Sequence, residues 1–207
     1  MKKVLLMFIA FLALQVNAQE IYFIPKIGVN SANLTNAELD CRLGFNIGMG
    51  VEYTVIDIFS VETGLFYSIQ GAKGDIPSYA NVGTEGYDEI TMKYNYLNIP
   101  VYAKLYLNKG FYVIGGPQFA INTSSKIELS GQGYSEVGDV DGATRTFDIG
   151  LGGGLGYQFE SGLSLSVSYT YGFIGVSKRS FHFDPSDTSK ETNFHNSVFN
   201  MNVGWRF

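Results

Sequence analysis

One property limits this chain more than any other: side-chain character alternates with a period of two over long stretches. "FDIGLGGGLGYQF" (147–159) places Phe147, Ile149, Leu151, Leu155, Tyr157 and Phe159 on one face and Asp148, Gly150, Gly152, Gly154, Gly156 and Gln158 on the other. A period of two is the signature of a β-strand, whereas a helix repeats every 3.6 residues. "LSLSVSYTYGF" (163–173) repeats the pattern after the short link "ESG" (160–162), as a hairpin does.

Six further segments read as strands: 22–30, 41–53, 59–71, 94–107, 111–122 and 196–207. Pro100 and Pro117 each remove one ladder donor from their strands. The links alternate in length. Those near 54–58, 108–110 and 160–162 are short, and those at 31–40, 72–93, 123–145 and 174–195 are long and polar. That rhythm predicts an all-β, eight-stranded antiparallel up-and-down barrel, with tight turns at one end and long loops at the other.

The polar face decides the solvent. It is crowded with Gly and Ser instead of the Lys, Glu and Arg that a soluble barrel shows to water. Only 16% of the residues are charged, against 25 glycines, 16 phenylalanines and 14 tyrosines. Small residues suit the narrow interior of an eight-stranded ring, so the apolar face is expected outside, against lipid. The rare charges on the polar face are Lys26, Arg42, Glu52, Glu62, Lys104, Asp148 and Arg206. Enclosed in a lumen they must find partners, because an unpaired buried ion costs several kcal/mol. Glu62 and Lys104, on neighbouring strands, are the first pair expected. The apolar face carries aromatic residues near the short turns: Phe23, Tyr53, Phe59, Phe111, Tyr157, Phe159, Trp205 and Phe207. A looser set (Tyr67, Phe119, Phe147, Tyr171, Phe173 and Phe199) lies towards the long loops. Such rows mark the two faces of a bilayer.

The first 18 residues read as a secretory signal peptide. Lys2 and Lys3 precede the apolar run Val4 to Leu14, and "VNA" ends in a small residue before Gln19. Eleven apolar residues are too few for a membrane helix, which needs about 20. Removal of the two lysines takes the net charge from −5 to −7, which speaks against nucleic-acid binding. Cys41, the single cysteine, cannot form an internal disulfide. The mature barrel domain is therefore 19–207.

"YLNIPVYAKLYL", "FYVIGGPQFAIN", "FDIGLGGGLGYQF" and "MNVGWRF" resemble the PorT-like outer-membrane β-barrel domain family of small OmpA/OmpX-type barrels. The resemblance implies an integral protein of a Gram-negative outer membrane, in contact with outer-membrane lipid. It also implies that Phe207 is the C-terminal signal read by the barrel-assembly machinery. Lys104 matches the family's lysine, whereas Asn98 stands where the family has a glutamate. One branch of the family is associated with protein secretion.

Catalytic and metal chemistry is weakly supported. His182 and His195 are thirteen residues apart with no ligand cluster, and no cofactor or metal is expected. "DVDG" (139–142) matches only the start of a calcium loop. The glycines of 150–156 form no G-x-G-x-x-G, because position 155 is Leu, and no Walker lysine follows. The reading that emerges is a non-enzymatic barrel whose long loops meet an unknown protein or surface ligand. The alternatives are a lipid-modifying enzyme using His195, Ser197 and Ser180, or a narrow pore.

Overall fold

The computed structural model describes residues 21–35, 39–75, 88–108, 110–131, 134–178 and 194–207. The signal segment, His182 and Ser180 lie outside them. Nine strands form one antiparallel sheet: β1 (Ile21–Thr35), β2 (Asp40–Ile56), β3 (Phe59–Asp75), β4 (Glu89–Asn108), β5 (Phe111–Gly131), β6 (Tyr134–Asp139), β7 (Phe147–Gln158), β8 (Leu163–Gly172) and β9 (His195–Trp205). Eight of them close into a ring in the order β1-β2-β3-β4-β5-β7-β8-β9. β9 returns to β1 over the register Lys26↔Gly204 to Thr35↔His195. Closure leaves no strand edge within the ring, a requirement in lipid, where nothing else satisfies a bare backbone group.

The short-turn end is built tightly. Gly162 (φ 98°) and Gly110 (φ 95°) adopt the left-handed conformation that two of its turns demand. Gln158 fastens the β7–β8 turn by donating its amide to the carbonyls of Phe159, Gly162 and Leu163 at 3.0–3.3 Å. The C-terminus is tied down beside it, where the Phe207 amide donates to the Phe23 carbonyl at 2.9 Å.

The other end departs from the sequence expectation. The links at 72–93 and 123–145 are not simply loops. β3 runs on to Asp75, β4 begins at Glu89, β5 continues to Gly131, and β6 adds a ninth strand outside the ring. β3, β4, β5 and β6 thus project beyond the ring as a twisted sheet.

Face character inverts at a common level. Below it, outward residues are apolar (Leu97, Ile121, Val29, Phe199) and inward ones polar (Asn98, Gln118, Asn30, Asn200). Above it, β4 turns Lys93 and Thr91 outward and Tyr94 and Met92 inward. β1 turns Asn33 outward and Leu34 inward. The lower part faces lipid outside and a polar lumen inside. The upper part faces water outside and packs its apolar residues over the mouth.

Candidate functional site: the charged lumen and its outer seal

Residues from four strands meet in the middle of the barrel. Glu52 (β2) and Glu62 (β3) are direct cross-strand partners, a placement of like charges that destabilises unless a cation intervenes. Lys104 on β4 supplies that cation. Its Nζ lies 2.7 Å from Glu52 Oε2 and 3.5 Å from Glu62 Oε2. The nearer partner is therefore Glu52, although the sequence singled out Glu62. Lys26 on β1 pairs with Glu62, and Arg206, just past β9, approaches the other oxygen of Glu52 at 3.4 Å. Glu52 and Lys104 are completely buried, and Glu62 nearly so.

Aromatic residues complete the network. The Tyr106 hydroxyl donates to Glu52 at 2.8 Å. Lys104 Nζ sits 4.0 Å from the centroid of the Tyr112 ring, and the Arg206 guanidinium 3.5 Å from that of Tyr22. Cation–π contacts of this kind strengthen when desolvated. Sequence reasoning missed these tyrosines. The available signal was that Tyr102, Lys104 and Tyr106 share one face of the same strand.

The other two charges do not join. Asp148 is buried, but its carboxylate is met by the Ile174 amide (3.1 Å) and the side chain of Asn196. Arg42 lies on the inward face opposite the buried Ala32, but near the mouth and away from this network. The β2–β3 register shifts between Cys41 and Asn46, and the Arg42 guanidinium donates to the Gln70 carbonyl (3.1 Å) and interacts electrostatically with Glu128 of the projecting sheet.

Around this network the lumen is filled. Lys26, Glu62, Asn98, Tyr102, Gln118 and Asn202 border a void of about 60 Å³, and a second void below Asp148 and Asn196 measures about 20 Å³. The outer mouth is closed by an apolar cluster of Leu34, Ala72, Tyr94, Tyr96, Ala120 and Val176, with Leu39, Met92 and Phe194 packed against it. The Asn196 amide donates to the Tyr96 hydroxyl at 2.9 Å and joins the cluster to the polar interior. Among the described residues the short-turn end opens into a vestibule of about 1080 Å³ bordered by Tyr22, Ser60, Tyr106, Gln158 and Arg206.

On the outer surface, Tyr53, Phe111, Tyr157, Phe159, Trp205 and Phe207 are exposed near the short turns, and Phe59 is half-buried. Tyr157 and Phe159 meet edge to face, with centroids 4.7 Å apart. Phe119 and Phe147 stack at the far end of the apolar band (6.4 Å). His195 stacks on Tyr171 and its Nδ1 lies 3.1 Å from the Gly172 carbonyl, whereas the Ser197 hydroxyl bonds to that of Tyr169 (2.8 Å). His195 and Ser197 thus do not form a nucleophile–base pair. "DVDG" serves as a turn: Asp139 accepts the Asp141 amide (3.0 Å), and Asp141 accepts that of Ser125. Among the described residues no group of His, Cys, Asp and Glu could hold a metal ion.

The exposed band between the aromatic rows, including Ile27, Val29, Met49, Leu65, Leu151, Leu155, Leu165, Met201 and Val203, is far more apolar than water tolerates. With the closed ring and polar filled interior, it defines a transmembrane β-barrel. The chain belongs to the outer membrane protein beta-barrel domain family, whose model matches residues 17–178. Among solved structures, the Neisserial surface protein A barrel is similar at 13% identity, with 90% of this chain and 97% of that one covered and a TM-score of 0.50. Ail, the attachment invasion locus protein of Yersinia pestis, is similar at 16% identity, with 91% and 99% covered and a TM-score of 0.47. No curated protein matches the chain significantly.

Proposed function

We propose that this outer-membrane barrel is a non-enzymatic anchor that holds a rigid β-sheet outside the membrane, where it binds a partner or supports the envelope. The observation that carries the reading is the β3–β6 projection. At about 3.3 Å per residue, β4 alone continues roughly 20 Å from Asn95 to Glu89. Ordered strands of that reach are a platform, and recognition surfaces are commonly carried on such segments above a rigid scaffold. Likeness to the PorT-like family supports a secretion-associated version, in which the partner is an exported protein. A cleaved leader over 1–18 and recognition of Phe207 by the barrel-assembly machinery belong to the same proposal.

Photo-crosslinkers at Thr91 and Ser130, on the projection, and at Asp57, on a short turn, test it in intact cells. A discrete protein adduct is expected from the first two positions and not from Asp57. Adducts confined to Asp57, or none from the projection, would remove the platform reading. Because the mouth is sealed, planar-bilayer recordings are expected to show no steady conductance, and a stable open level would instead favour the narrow-pore alternative.

The same sheet responds to acid. The hydrogen bond and charge of Lys93 hold the Glu128 carboxyl below its ordinary range. A depressed carboxyl contributes stability above its unfolded pKa and loses it as pH falls through the folded value. Glu128→Gln is therefore expected to lower projection protection in amide exchange slightly near neutrality, where the ion pair contributes, to leave it unchanged in acid, and so to flatten its acid dependence.

A further inference from the structure

Lys93 on β4 and Lys126 on β5 are direct cross-strand partners. Both point away from the mouth, since their neighbours Tyr94 and Ser125 are buried. Like charges placed directly opposite destabilise a ladder. Lys93 is offset by its ion pair with Glu128. Lys126 faces Asp139 on its other side, but that carboxylate accepts the Asp141 amide, and Lys126 makes no ion pair among the described residues. The fold thus keeps an exposed ammonium beside a second one, and no carboxylate closes on it as an ion pair among the described residues.

The height of the pair explains what it meets. Outward residues change from Leu97 and Ile121 to Asn95 and Ser124, and the lysines occupy the next outward positions. The apolar band ends at that change, so both side chains lie at the level of lipid headgroups. We propose that Lys126 and Lys93 together bind a phosphate of an anionic lipid headgroup in the outer leaflet. Side chains directly opposite on one face stand close enough for both ammonium groups to reach a single phosphate. The site is shallow and partly balanced by Glu128 and Asp139, so a free anion in water gains little there. A phosphate held in the adjoining leaflet arrives at high effective concentration.

The inference rests on the outer-membrane reading, and its test separates the two. The full chain, folded in nonionic micelles, is titrated with lipid A, with dephosphorylated lipid A and with inorganic phosphate, and bound lipid is counted by native mass spectrometry. At about one lysine's worth of surface attraction each, the Lys93→Gln/Lys126→Gln variant should bind lipid A roughly thirtyfold more weakly than wild type. Lys126→Arg should retain binding, dephosphorylated lipid should bind no better to wild type than to the double variant, and inorganic phosphate should not compete. Thermal unfolding of Lys126→Gln should be no lower than wild type, since a repulsion has been removed. Equal lipid A binding by the double variant, or displacement by inorganic phosphate, would overturn the assignment. Heat-modifiable gel mobility reports the membrane barrel separately, and its absence in wild type would sink that reading instead.

Discussion

Lys104→Met should lower the unfolding free energy of the barrel by about 3–5 kcal/mol, the cost of breaking a buried ion pair from one side. Methionine keeps most of the volume, so the loss reports charge and not a cavity. What remains is Glu52 directly opposite Glu62, both buried, with Lys26 on one carboxylate and Arg206 at 3.4 Å from the other. The Tyr106 hydroxyl can stabilise only one charge, on Glu52. Urea unfolding in detergent, followed by Trp205 fluorescence and by the heat-modifiable band, measures the effect. Adding Glu52→Gln should recover a large part of the loss, because it removes one of the two stranded charges. If Lys104→Met unfolds at the same urea concentration as wild type, the lumen network does not hold the wall together.

The location of this network was largely legible in the sequence, but its wiring was not. Alternation puts Lys26, Glu52, Glu62, Lys104 and Arg206 on one face, and a narrow ring brings that face together. Which charge meets which depends on the stagger of strands around the ring. Lys26 has glycines opposite it on both neighbouring strands, Gly48 on β2 and Gly204 on β9, and so reaches over β2 to Glu62 on β3. Arg42 keeps the inward face, opposite the buried Ala32, but the β2–β3 register shift changes which β3 residues lie beside it, and it lies near the mouth, away from the other charges.

The projecting sheet was missed although its alternation is present. In "EITMKYNY" (89–96), Ile90, Met92, Tyr94 and Tyr96 alternate with Glu89, Thr91, Lys93 and Asn95 as regularly as in any membrane strand. A search for apolar residues facing lipid counts its first part, 89–93, as polar and assigns it to a loop. The strand has crossed the headgroups, where water is outside and the apolar side chains turn inward to seal the mouth. Period and polarity carry separate information: the first says strand, and the second says which solvent lies on which side.

The glycines of 150–156 give the sharpest test of that separation, because two adjacent ones should respond in opposite ways. Gly153 opens outward, and a Cβ built there meets nothing closer than the Ile114 carbonyl oxygen at 3.6 Å, an ordinary contact. Gly154 turns toward the lumen, where a Cβ would lie 2.7 Å from Ser168 Cα and 2.8 Å from its Cβ on β8. Backbone on a hydrogen-bonded neighbour cannot yield without breaking the β7–β8 register Gly154↔Ser168. Gly153→Val should therefore change the unfolding free energy by no more than about 0.5 kcal/mol, as at an unobstructed surface site, and the added methyls face lipid. Gly154→Val should cost about 3 kcal/mol or more, at or beyond the upper end for overpacking, and should reduce the yield of the heat-modifiable form. Equal tolerance at both positions would show that β7 does not face its glycines inward. The reverse order would place lipid on the glycine face and the apolar residues in the lumen, which would invert the barrel described above.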